Sequence, residues 1–222
     1  MKLSNNTIKI LKNFSDINNT ILIRKGNSIV TVDSAKRIVA DANISESLPR
    51  DFAIYDLAKF LGVTSLFDEP ELDFKTDKVI VKSNNRSIDF IYSDPSVVQD
   101  ASPTRKRIPS VFDENKVVYK FSLSKEDLED LKQASSVMGL THISFVSEND
   151  CIKIVAQDIS NDSLGKFTLD VNGKASSSPV CNMLIENLKI IPDSYDIQIS
   201  PTVAHFTGKT NGVQYWIVME SV

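Results

Sequence analysis

The chain has 222 residues, 41% of them hydrophobic and 24% charged, with seven glycines, two cysteines and a net charge of −4. These figures exclude a disordered or fibrous chain and one that coats nucleic acid over its whole surface, and they leave room for a local basic face. "MKLSNNTIKIL" lacks the apolar core of a signal peptide and no run approaches the ~20 apolar residues of a membrane span, so a cytosolic protein is expected.

In chain order, Ser4 is a good helix N-cap, and Ile8, Leu11, Phe14 and Ser15 then share one side of a first helix that ends near Asn18-Asn19. "TILIRKGNSIVTVD" reads as two strands around a turn at Lys25-Gly26-Asn27, and "RIVADANI" as a third. Pro49 marks an entry loop to a second helix, where Leu57, Phe60, Leu61 and Thr64 share a face. "ELDFKTD", "KVIVKS" and "RSIDFIYS" form a meander with turns at Thr76-Asp77 and Asn84-Asn85.

Between Ser93 and Lys116 the chain holds Pro95, Pro103 and Pro109, which disfavour a continuous helix and predict an extended connector. Beyond it the pattern recurs. Ser124–Val137 aligns without a gap onto Ser4–Ile17 at a spacing of 120, with Ser4/Ser124, Leu11/Leu131, Lys12/Lys132 and Ser15/Ser135 identical. Ile8/Leu128, Phe14/Ala134 and Ile17/Val137 match in apolar character. "THISFVSENDCIKIVAQD" reads as strand, polar turn and strand, and "LGKFTLDV" as another strand. "CNMLIENLKI" is expected as a short helix stopped by Pro192, and "YDIQIS", "VAHFTG" and "VQYWIVMES" as closing strands. Two similar α+β domains follow, 1–109 and 110–222, each with two helices packed on antiparallel β-sheet. Residues 1–110 carry 16 basic and 14 acidic side chains and residues 111–222 carry 9 and 15, so the charge is unevenly divided.

Nothing in the chain signals catalysis. It has no GxxxxGK[ST], GxGxxG or GxSxG. His142 and His205 sit in alternating strand patterns, and "FDEPELDFKTD" reads as a solvated acidic surface. Cys151 and Cys181, without CxxC or His-rich context, are expected as buried free thiols. The chain reads as a non-enzyme with no metal and no cofactor.

"MKLSNNTIKILKNFSDINNTILI", "ANIS", "DFAIYDLAKFL" and "NMLIENLKIIPDSYDIQI" together resemble the DNA polymerase sliding clamps of T-even-like tailed bacteriophages. The resemblance implies a closed homotrimer of the DNA clamp fold around duplex DNA, with helices lining the hole and sheets forming the outer wall. It implies a processivity factor in phage DNA replication that tethers the replicative polymerase without sequence preference. An ATP-driven clamp loader and late-transcription factors are further implied partners, and the host cytoplasm the implied location.

Against that role, the first helix is expected to turn Lys9 away from its apolar stripe, with Asn5 and Lys12 flanking and Lys2 nearby. In the second copy Glu129 stands where Lys9 does. Lys125 and Lys132 flank it, and Lys125 and Glu129 are spaced to pair at i, i+4. Lys59 and Lys189 point away from their own stripes. The DNA-facing candidates are therefore Lys2, Asn5, Lys9, Lys12, Lys59, Lys125 and Lys132, with the first copy expected to carry more of the contact. Arg105–Arg107, the densest basic run, reads as a solvated loop. Val97, Val98, Ile108, Val111 and Phe112 are the candidates for a partner-peptide pocket near the connector. The competing reading is a phage structural or adaptor protein built from the same duplicated domains.

Overall fold

The computed structural model describes residues 1–148, 151–175 and 179–220. The chain divides into two compact units, Met1–Arg105 and Lys106–Val222.

In the first unit α1 (Asn5–Ile17) starts where expected, because the Ser4 side chain accepts from the Thr7 backbone N–H. Strands β1 (Ile21–Ile23), β2 (Gly26–Val32), β3 (Ile38–Leu48) and β4 (Phe52–Ile54) follow, then α2 (Leu57–Ser65). β2 pairs with β3 and β1 with β4, both antiparallel. The turn from β2 to β3 is held by the buried Asp33 carboxylate, which accepts from the backbone N–H groups of Ala35, Arg37 and Ile38. β5 (Glu71–Phe74), β6 (Lys78–Ser83) and β7 (Arg86–Ile91) form the expected meander. The outer edge of β5 is covered by Met1, whose backbone exchanges two hydrogen bonds with Leu72 at 2.7 and 2.9 Å.

The connector differs from the extended segment expected. Pro95–Val97 and Glu114–Lys116 are single 3-10 turns, and between them Ser102–Val111 is a helix, α3. Pro103 lies in its first turn, where a backbone N–H has no intrahelical partner to lose. Pro109 forfeits one bond near the other end, and the ladder resumes with Phe112 N–H to the Ile108 carbonyl at 2.8 Å.

The second unit comprises β8 (Tyr119–Leu123), α4 (Lys125–Met138), β9 (His142–Glu148), β10 (Cys151–Gln157), β11 (Phe167–Val171), β12 (Gly173–Ala175), β13 (Cys181–Leu184), β14 (Tyr195–Ile199), β15 (Val203–Gly208) and β16 (Gln214–Val218). Ser124 caps α4 as Ser4 caps α1, and Gly139 at φ 67° ends it in the left-handed conformation that glycine adopts without strain. The polar turn expected between β9 and β10 includes residues 149–150, which lie outside the described residues, as does Ser221.

One sheet runs β11-β10-β9-β13, and in the other β12, β8, β14, β15 and β16 are neighbours in that order. Leu128 and Leu131 of α4 are buried with Phe121, Ile143, Phe145, Ile154, Ile197 and Phe206. The helix expected at "CNMLIENLKI" is a strand followed by one 3-10 turn, Ile185–Asn187. Cys181 and Met183 point into the core while their backbone pairs with β9, so sheet hydrogen bonding overrides a pattern that also fits a helix. The free side of β13 is closed by Glu220, whose N–H donates to the Asn182 carbonyl. β8, β12 and β4 are short strands absent from the sequence reading.

Candidate nucleic-acid interface and partner surface

The helical layer of the first unit is built twice from one spacing. α1 buries Thr7, Ile10, Leu11, Phe14 and Ile17, and α2 buries Leu57, Phe60, Leu61 and Thr64, so i, i+3, i+4 and i+7 recur in both. This shifts the expected stripe of α1. Ile8 is only half-buried, and polar Thr7 takes a core position instead. Thr7 is satisfied there by donating to the Glu46 carboxylate at 2.6 Å while its Oγ1 accepts from Ser4 Oγ at 3.0 Å. At about 100° per residue, Asn5 and Lys12 then lie most directly opposite the stripe, with Lys9 and Asp16 beside them. On α2, Lys59 occupies the matching outward position and is exposed. Lys9, Lys12 and Lys59 have no ion-pair partner within 4.0 Å among the described residues. Lys2 does: it pairs with Glu69 at 2.8 Å on the surface.

Glu46, on β3, organises the start of α1. Its carboxylate accepts from the Ser4 backbone N–H, Thr7 Oγ1 and Ser45 Oγ. Burial alone would raise its pKa, but these hydrogen bonds outweigh the burial and hold it down at about 2. A fixed negative charge there suits the positive end of the helix dipole. The charge is aimed into the helix start, so the outward face keeps its basic character.

The second unit does not repeat this face. The caps of α1 and α4 align at the 120-residue spacing, yet α4 buries Leu128, Leu131 and Ser135, a stripe rotated by about one residue. Ile17 is buried, and its sequence counterpart Val137 is 81% exposed. The side of α4 opposite its stripe carries Glu126, Glu129, Asp130, Gln133 and Val137. Lys125 pairs with Glu129 at 3.7 Å at the spacing read from sequence. Lys132 is half-buried beside the stripe and engaged within the chain. Neither lysine projects from the centre of the outward face.

Arg105 is not a solvated loop residue. It lies on α3, exposed like Lys106 and Arg107, and forms an ion pair with Asp41, whose side chain is only 10% exposed. Of the pocket candidates, Val97 in the first unit is exposed and Val98 buried. In the second unit Ile108 and Phe112 are buried and Val111 is exposed on α3. Phe112 meets the His205 ring edge-on at 5.2 Å, and His205 stacks on Trp216 at 4.7 Å and 5° between planes. His205 Nε2 lies 3.0 Å from Gln214 Oε1. Burial pushes its pKa down, which keeps the stack neutral at physiological pH. His205 and Trp216, which adjoin Phe112, were not among the sequence candidates for this surface. The signal lay in the alternation of "VAHFTG" and "VQYWIV", which puts His205 directly across from Trp216 in the β15–β16 register.

A family model described as DNA polymerase processivity factor matches residues 2–97. The chain is 32% identical over 227 residues to the sliding clamp of Vibrio phage KVP40, covering all of both chains. It is also 32% identical over 234 residues to the sliding clamp of Escherichia phage RB69, covering 100% of this chain and 97% of that one. The chain belongs to the sliding-clamp family. It is a clamp of the phage replication type, a processivity factor and scaffold, not an enzyme. The fold extends well beyond sequence similarity: a structure of A. fulgidus PCNA bound to the C-terminal region of FEN-1 matches with a TM-score of 0.69 at 12% identity, over 99% of this clamp and 97% of that chain. Among the described residues no helix of the clamp is long and apolar enough to cross a membrane.

Proposed function

We propose that this clamp closes as a homotrimer around duplex DNA in the cytoplasm of an infected bacterium and tethers the replicative polymerase there. An ATP-driven loader places it, and late-transcription factors use the same scaffold. The observation that carries the reading is the outward face of α1 and α2, where Asn5, Lys9, Lys12 and Lys59 project from helices backed by sheet. A duplex presents about one negative charge per 1.7 Å, so a few unpaired lysines meet phosphates at every sequence and in every register. Firm phosphate contacts would hinder sliding, and a sparse lining suits a ring held by topology.

The sheet edges support assembly. β5 is covered by Met1 and β13 by Glu220, whereas β7 and β11 have no partner on their outer edges among the described residues. β7 lies in the first unit and β11 in the second, so β7 of one copy meeting β11 of the next is a heterologous contact that can close a ring. For partner peptides, the apolar surface around Val111, Phe112 and the His205–Trp216 stack in the second unit is the favoured seat, with Val97 a separate exposed candidate in the first.

Primer extension on primed circular DNA, with the cognate polymerase, loader and ATP, tests the reading. Adding the clamp is expected to lengthen the products several-fold. Unchanged product length would overturn it.

A further inference from the structure

Asn-Gly occurs twice in the chain, at Asn172-Gly173 and Asn211-Gly212, both in the second unit. Such a pair can modify itself, because a glycine leaves its own peptide nitrogen unshielded by a side chain. That nitrogen loses its proton to solvent and attacks the asparagine Cγ. The new C–N bond forms as the Cγ–Nδ2 bond breaks, ammonia leaves with the proton, and a cyclic imide closes. One water then adds across either imide C–N bond and gives aspartate or isoaspartate. The balance is one amide and one water to one carboxylic acid and one ammonia, with no change of oxidation state.

The two pairs stand in different surroundings. Asn211 lies in the turn between β15 and β16, and its Oδ1 accepts from the Val213 backbone N–H at 2.8 Å. This hydrogen bond folds the side-chain amide over the Gly212 peptide, and the same donor faces the negative charge that forms on Oδ1 during attack. Nδ2, the leaving group, is buried and has no hydrogen-bond partner among the described residues. Gly212 is exposed at φ 68°, and a Cβ on it would meet nothing within 4 Å, so its nitrogen is open to reaction and water reaches the imide. The preceding backbone is fixed, since the Thr210 and Asn211 N–H groups both donate to the buried Asp193 carboxylate at 2.9 Å. Asn172 and Gly173 are both exposed, and exposure alone would favour them. Gly173, however, opens β12 in register with Phe121, and a Cβ there would lie 2.5 Å from the Lys120 carbonyl oxygen. The strand pairing holds that peptide where it leaves no room for ring closure.

We propose that Asn211 is a self-modification site, converting to aspartate and isoaspartate in the folded clamp ahead of Asn172, and that the product loosens the β15–β16 turn. The new carboxylate arises on the residue whose own N–H Asp193 accepts, so two like charges meet in a buried setting. Isoaspartate also reroutes the main chain through the side-chain carbon and displaces that N–H.

The test ages the full-length clamp at physiological temperature and mildly alkaline pH, beside a sample held unfolded in urea. Mass spectrometry of digests follows the amide-to-acid change at each site, and isoaspartyl methyltransferase labelling follows isoaspartate. In the folded clamp the product at residue 211 is expected to accumulate several-fold faster than at 172, and in urea the two rates are expected to converge. Modification of Asn172 first or equally in the folded clamp, or of Asn211 only in urea, would overturn the proposal. Gly212→Ala is expected to slow the change at 211 several-fold in urea, where its fold is immaterial, and to leave 172 unaffected. An unchanged rate at 211 would exclude attack by the residue 212 nitrogen. Asn211→Asp is expected to unfold at a lower temperature than the wild type, with altered Trp216 fluorescence. Unfolding at the wild-type temperature would refute the loosening of the turn.

Discussion

Glu46 shows how one side chain can set a helix start that hydrophobic patterning does not predict. It holds the Ser4 N–H and the Thr7 hydroxyl together, which lets a threonine occupy a core position. Glu46→Gln is expected to cost about 1 kcal/mol at pH 7, comparable to the loss of an N-cap. The folded carboxyl lies at about 2, below its ordinary 4.5, so its contribution is complete above pH ~4.5 and is lost as pH falls through the folded value. Chemical denaturation of the two proteins from pH 7 to pH 2 should show the difference shrinking over that window. His205 has the opposite chemistry. Burial lowers the pKa of a base, so protons bind the unfolded chain more readily below its ordinary 6.5 and stability falls with acidification there. His205→Gln is expected to flatten the pH dependence between 7 and 5, with Trp216 fluorescence as the readout. Loss of that dependence without loss of the folded state would identify His205 as its source.

At the scale of elements, the faces of α1 make a direct comparison possible. Leu11→Ala empties a buried position that is 4% exposed and is expected to cost 2–5 kcal/mol. Lys9→Glu with Lys12→Glu should change stability by less than about 0.5 kcal/mol each and still lower residence on DNA. Equal unfolding midpoints for the two proteins would refute the assignment of faces. Sequence legibility follows the same division. The caps at Ser4 and Ser124, the stripe of α2, the β5–β7 meander and the duplication were legible because each rests on local chemistry. The α1 stripe was displaced because Thr7 is buried by hydrogen bonds that come from β3, 39 residues away. The segment at Cys181 read as helix because its fate depends on an open edge of β9. α3 was hidden because two prolines count against a helix on average, though not at the positions they take here. Lys125 and Lys132 of α4 were read as flanking Glu129 on the outward side, and a rotation of the stripe by about one residue moves both away from its centre.

At the scale of the molecule, the duplication has kept the cap and lost the symmetry of charge. The acidic excess lies in the second half, and the outward face of α4 shares it, so the proposed phosphate contact is concentrated on the first unit of each copy. The joining edges proposed for assembly are β7 and β11. Ile91, at the end of β7, is 62% exposed, a high value for an isoleucine on an uncovered strand. Light scattering should give a mass near three times 24.7 kDa at assembly concentrations. Ile91→Lys places on that edge a residue that opposes strand pairing, and is expected to shift the equilibrium toward monomer at equal concentration. The monomer should keep its folded circular dichroism, since Ile91 is not part of the core. A variant that remains trimeric at every concentration would exclude β7 as the joining edge and direct the search to the remaining surfaces of the first unit.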